Sequence, residues 1–176
     1  MTILEKVKDK IARILKIVFS ILQLNSQPIN INEKENKTMR EGIQTNFPNE
    51  ALRRFGCYFF ILMKWLEVKN GMSFTDEMLL EIFERAVAAG IMNGDNAFIN
   101  RPVDLMNMAL GQNSYRDIRR DLSDAPADGT AIRRLVRGTA GETHFTLQIS
   151  GKEWDTLDPA RPAAATWSFH SFRVPV

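Results

Sequence analysis

The chain has 176 residues, 44% of them apolar and 25% charged, which fits one globular domain with a sizeable core. A single cysteine excludes an internal disulfide and a cysteine-rich zinc site, and two histidines give poor support for a catalytic metal, so no metal or other cofactor is expected. A net charge of +2 is too small to argue for nucleic acid as a partner, and a lone thiol fits a reducing compartment such as the cytoplasm.

Residues 1–24 read as an amphipathic helix. Ile3, Val7, Ile11, Ile14, Leu15, Val18 and Leu22 recur at helical spacing, while Lys6, Lys10, Arg13 and Lys16 fall between them. The uncharged piece from Ile17 to Leu24 is far short of the roughly 20 residues of a membrane span, and no small-residue cleavage site follows it. Such a helix suits docking to a partner helix or a membrane surface. Residues 25–38 are polar, rich in asparagine and poor in large apolar side chains, the composition of a flexible linker. The domain proper is expected over 39–176.

The only cysteine follows a glycine at the head of an apolar run, Gly56-Cys57-Tyr58-Phe59-Phe60-Ile61-Leu62-Met63. Apolar residues on nearly every side describe a buried helix. Two starts are open. Asn49 can cap a helix that carries Cys57 in its middle, or Gly56 breaks the chain and Cys57 begins a new helix. In the second case the thiol sits at the positive end of the helix dipole, which favours the nucleophilic thiolate. Without further support, a cysteine in such a run is simply a small apolar core residue.

Asn70-Gly71 closes this helix. Ser73 with Asp76 gives a capping-box-like start for a helix over 76–89, stopped by Gly90. Ile91–Ile99 is a connector, and Pro102 at the first helical position opens a helix to Leu110, stopped by Gly111. Arg116, Arg119, Arg120, Arg133, Arg134 and Arg137 then alternate with Asp117, Asp121, Asp124 and Asp128, which reads as a solvated, ion-paired surface. From Ile132 the apolar period switches to that of strands: Ile132–Arg137, Thr143–Ser150, Lys152–Asp158, and one around Phe169–Val174.

His144 begins the second of these strands, and the hairpin brings an aspartate back beside it. A three-residue connection pairs Ile149 with Glu153 and sets Asp158 opposite His144. A two-residue turn sets Leu157 there and puts Asp155 on the histidine's face, two positions away. Asp158 is the better placed in this reading, with Asp155 as its alternative. A carboxylate that fixes an imidazole suits a base serving a thiol. His170, in an alternating strand pattern, reads as a surface residue.

Gly56-Cys57 heading a buried helix, then His144-Phe145 on one strand and Leu157-Asp158-Pro159 on its partner, resembles a papain-like cysteine peptidase domain. The similarity is to the compact bacterial type that includes bacteriocin-processing peptidase domains, and it spans roughly Gln44 to Val176. It implies an α+β fold, with the helical half led by the cysteine helix packed on an antiparallel sheet carrying the histidine and aspartate. By position, Cys57 would be nucleophile, His144 general base and Asp158 its orienting partner. One departure stands out: the family's oxyanion-stabilising glutamine is missing just before the cysteine. Gln44, Asn46 and Asn49 are the amide candidates instead. Two classes of function follow. One is a thiol-dependent hydrolase, a peptidase or amidase/deamidase acting on a peptide or protein. The other is a papain-like module that binds a protein without turnover. The sequence assigns no side chain to a specificity pocket.

Overall fold

The computed structural model describes residues 38–138, 141–157 and 167–176. The expected N-terminal helix and nearly all of the expected linker lie outside these residues, as does Asp158. The fold is α+β. Among the described residues, a short 3-10 helix (Ile43–Asn46) and four α-helices, α1 (Glu50–Phe55), α2 (Cys57–Asn70), α3 (Asp76–Ala88) and α4 (Pro102–Leu110), precede five strands: β1 (Ile118–Leu122), β2 (Ala131–Arg137), β3 (Glu142–Ile149), β4 (Lys152–Trp154) and β5 (Ser168–Pro175). The strands form one antiparallel sheet in the order β1-β5-β2-β3-β4. No helix among the described residues is long and apolar enough to cross a membrane.

Helix α2 is the centre of the core. Phe59, Phe60, Ile61, Leu62, Met63 and Leu66 are completely buried, so the helix is covered on nearly every side, as its unbroken apolar run requires. Each such side chain is worth about 1.5–3 kcal/mol relative to an exposed one. The helix packs on β3 and α4. Its aromatic rings reach outward to Phe47 (centroids 5.0 Å from Phe60), Phe83 (6.3 Å from Phe59) and Phe145 (4.4 Å from Tyr58).

A buried ion pair ties the start of the domain to this helix. Lys64 Nζ lies 2.7 Å from Glu67 Oε2 and donates to the Met39 carbonyl at 3.1 Å. Glu67 in turn accepts from the backbone N–H groups of Met39 and Phe74, each at 3.0 Å. The carboxylate satisfies two otherwise orphaned donors, and both charges are compensated inside the protein.

Helix ends follow the expected chemistry with one exception. Gly71 and Gly111 take left-handed φ values of 64° and 67°, stopping α2 and α4. At the start of α3 the cap is Thr75, whose side chain accepts from Met78 N, rather than Ser73. Strand β1 lies outside the sequence expectation. It is a short edge strand, Ile-Arg-Arg-Asp-Leu, whose charges keep an exposed edge from pairing with other chains but hide the strand pattern. Strand β4 ends at Trp154, four residues short of the expected Asp158.

Candidate active site

The backbone around the thiol combines both of the starts left open by the sequence. Asn49 caps the short helix α1, its Oδ1 accepting from Leu52 N at 3.0 Å, and Gly56 then ends α1 and precedes Cys57 as the first residue of α2. The reason for glycine is steric. A Cβ there would lie 2.4 Å from the Leu52 carbonyl oxygen and 2.9 Å from Leu52 Cα. Only glycine allows the two helices to meet this closely, and that junction sets Cys57 at the positive end of a 14-residue helix.

His144 enters from β3, on the strand that α2 packs against. It is 4% exposed, and Trp167 covers its ring with centroids 5.5 Å apart. Its Nε2–H donates to Asp155 Oδ1 at 2.8 Å. A carboxylate only accepts, so this bond places the hydrogen on Nε2 and leaves Nδ1 as the second ring nitrogen. Cys57 is the second group that acts on the charge of this ring. Burial of the ring opposes its protonation, but the bonds and charges of Asp155 and Cys57 outweigh it and raise the His144 pKa from 6.5 to about 9.

The expected three-residue hairpin connection is corrected to two residues. Ile149 pairs with Lys152, and Ser150 and Gly151 form the turn, both with positive φ (48° and 83°). The backbone then leaves the sheet at Asp155. Gly42 N donates to the Asp155 carbonyl at 3.1 Å and Gln44 N to the Thr156 carbonyl at 2.9 Å. Asp155 Oδ1 also accepts from Leu157 N at 2.9 Å, which fixes the carboxylate in the orientation that His144 needs. The orienting carboxylate in the described structure is therefore Asp155, where the sequence favoured Asp158.

The same docking selects among the three amides. Thr156 Oγ1, fully buried, donates to Gln44 Oε1 at 2.8 Å, which fixes the orientation of the Gln44 amide. Asn49 is occupied as a helix cap, and Asn46 is exposed. Gln44 is thus the amide locked into the segment that carries Asp155.

His170 is exposed, with Nδ1 3.0 Å from Ser171 Oγ, as a surface residue should be. The arginines after Gly111 are partly ion-paired: Arg133 to Glu153 at 2.6 Å, Arg137 to Glu142 at 2.7 Å and, more loosely, Arg134 to Asp121 at 3.8 Å. Two cavities adjoin the histidine's partners. Cys57 lines one of about 380 Å³, and Asp155 and Trp167 line another of about 310 Å³. Among the described residues, no cluster of three or more histidine, cysteine, aspartate or glutamate side chains could hold a metal ion.

A family model, described as a protein of unknown function, matches residues 39–158. The chain belongs to the DUF261 family. The match begins at Met39, the residue clamped by Glu67 and Lys64, and includes Cys57, His144 and Asp155. No curated protein and no solved structure gives a match to this sequence.

Proposed function

We propose that this DUF261 protein is a thiol-dependent hydrolase of papain-like type, acting on amide bonds of a peptide or protein substrate in a reducing compartment such as the cytoplasm. The observation that carries this reading is the buried His144 ring held by Asp155 at 2.8 Å, with Cys57 as the second group that favours its charged form. A core cysteine has no need of a buried imidazole that is itself held by a half-buried carboxylate.

In this mechanism the Cys57 thiolate attacks the carbonyl carbon, forming a C–S bond, and the carbonyl oxygen becomes an oxyanion. The C–N bond then breaks, and the proton on His144 Nδ1 passes to the departing amine. Neutral His144 next takes a proton from water, whose oxygen attacks the thioester. The carboxylic acid leaves and the thiolate–imidazolium pair is restored. Asp155 holds the ring's tautomer and stabilises its positive charge without itself changing protonation. The Gln44 NH₂, aimed by Thr156, serves the oxyanion. Donors of this kind are worth on the order of a hundredfold or more in rate.

The test uses p-nitrophenyl acetate, an activated ester that needs no particular specificity pocket. A burst of nitrophenol equal to the protein concentration, with an acetyl group on Cys57 and slower turnover, is expected. His144→Ala should abolish the burst. A folded protein whose cysteine never carries acetyl has no acyl-transfer function, and a binding module then becomes the better reading.

A further inference from the structure

The cavity at Cys57 is lined by three arginines, Arg120, Arg134 and Arg173, and by no aspartate or glutamate among the described residues. They come from β1, β2 and β5, three neighbouring strands in the order β1-β5-β2, so the sheet itself gathers them. Three arginines outside the cavity, Arg133, Arg137 and Arg101, reach carboxylates at 2.6, 2.7 and 2.9 Å. Arg134 reaches only the loose contact with Asp121, whose carboxylate also accepts from Ser171 Oγ at 3.1 Å. Arg120 and Arg173 have no ion pair among the described residues.

Arg173 is instead held in place by rings, its guanidinium 4.8 Å from the Phe145 centroid and 5.4 Å from that of Tyr58. The Nε atoms of both Arg173 and Arg134 are buried without a hydrogen-bond partner among the described residues. A buried donor on a cation that lacks a partner is costly, and the deficit disappears when an anion enters. The guanidinium fork matches a carboxylate in two parallel bonds.

Phe98, 64% exposed, and Phe55, 46% exposed, form an apolar lip to the same cavity. Phe98 is presented by a braced loop. Asn93 Oδ1 accepts from Asp95 N at 2.8 Å and from Asn96 N at 3.3 Å, and Asn93 N donates to the Phe98 carbonyl at 2.9 Å.

We propose that this cavity takes a carboxylate of the substrate next to the carbonyl that Cys57 attacks, so that the site acts on acidic peptides. The proposal rests on the thiol-hydrolase reading and names its substrate class. The carboxylate belongs either to an acidic side chain or to the C-terminus of a peptide, and the aromatic lip accommodates the flanking residue.

Because the protein has one cysteine, intact mass reads alkylation at Cys57 alone. Iodoacetate and iodoacetamide both deliver a CH₂ group to the thiolate with loss of iodide, and only the first is an anion. The ratio of their rates, divided by the same ratio for glutathione, reports the positive field at the sulfur. At low salt it should exceed about tenfold and collapse towards one in 1 M KCl, where the Debye length is about 3 Å. Arg173→Gln and Arg120→Gln should each reduce it. Arg120 lies on the exposed edge strand and serves if the Arg173 variant fails to fold. His144 remains in both variants, so a ratio that survives them comes from the imidazolium and overturns the proposal, as does a wild-type ratio near one. Protection from iodoacetamide by N-acetylglutamate α-amide identifies the carboxylate of an acidic residue, and protection by N-acetylalanine a terminal one. Protection by neither, or by inorganic phosphate alone, overturns the substrate class. A high ratio without an acetyl-enzyme keeps the anion site and removes the hydrolase reading. An acetyl-enzyme without the ratio does the reverse.

Discussion

Replacing Asp155 by asparagine removes a charge from the site while keeping its shape. In the native protein His144 titrates at about 9 against 6.5 for a free imidazole. The interval corresponds to on the order of 3 kcal/mol of preference for the charged ring in the folded state. The folded pKa lies above the unfolded one, so this contribution is fully present below pH 6.5 and is lost as the pH rises through about 9. The histidine ring resonances, followed by NMR from pH 5 to 11, report the ring directly, and a His170→Gln variant assigns the two signals. With Asp155→Asn the carboxylate no longer offsets burial, and the His144 midpoint should fall by about 1–3 pH units, the range for a nearby opposite charge. A native His144 that titrates near 6.5, or one that ignores the substitution, would refute the reasoning.

Gly56→Ala should destabilise the domain by about 1–3 kcal/mol in urea unfolding and slow Cys57 alkylation, because the added methyl meets backbone and cannot rotate away. Unchanged stability would mean that the helix junction has more room than described. Glu67→Leu leaves Lys64 and the Met39 and Phe74 N–H groups uncompensated, and should cost about 3–5 kcal/mol. A loss below about 1 kcal/mol would show the cluster to be solvated. Gln44→Ala should lower the ratio of Cys57 acetylation to Cys57 alkylation by about a hundredfold, since only acetylation forms an oxyanion. Thr156→Val should do so more weakly, and an unchanged ratio in both variants would move the oxyanion donor elsewhere.

The helical half was legible because its punctuation is chemical. Gly71 and Gly111 adopt the left-handed conformation that ends a helix, and Pro102 opens one, so local residues suffice to place these boundaries. Gly56-Cys57 was legible as a break, although the close approach of Leu52 that requires glycine depends on backbone geometry. The sheet was harder. Strand β1 carries Arg119, Arg120 and Asp121 in its middle and shows no apolar alternation. In the β3–β4 hairpin, Ser150 sits in a left-handed conformation that serine rarely adopts, at a cost on the order of 1 kcal/mol. Sequence therefore favours a longer loop, which moves the register by one residue and the orienting carboxylate from Asp155 to Asp158. The hydrogen bonds from Gly42 and Gln44 that draw Asp155 out of the sheet connect residues more than a hundred positions apart. The cavity arginines were visible only as part of a charged region, since their convergence depends on the strand order.

The most direct test of the three-residue unit is the alkylation rate of Cys57 by iodoacetamide at neutral pH in four proteins: wild type, His144→Ala, Asp155→Ala and the double variant. If Asp155 acts only through His144, each single change slows labelling and the double variant is no slower than His144→Ala. Equal rates in all four proteins, or losses that multiply in the double variant, would contradict the account.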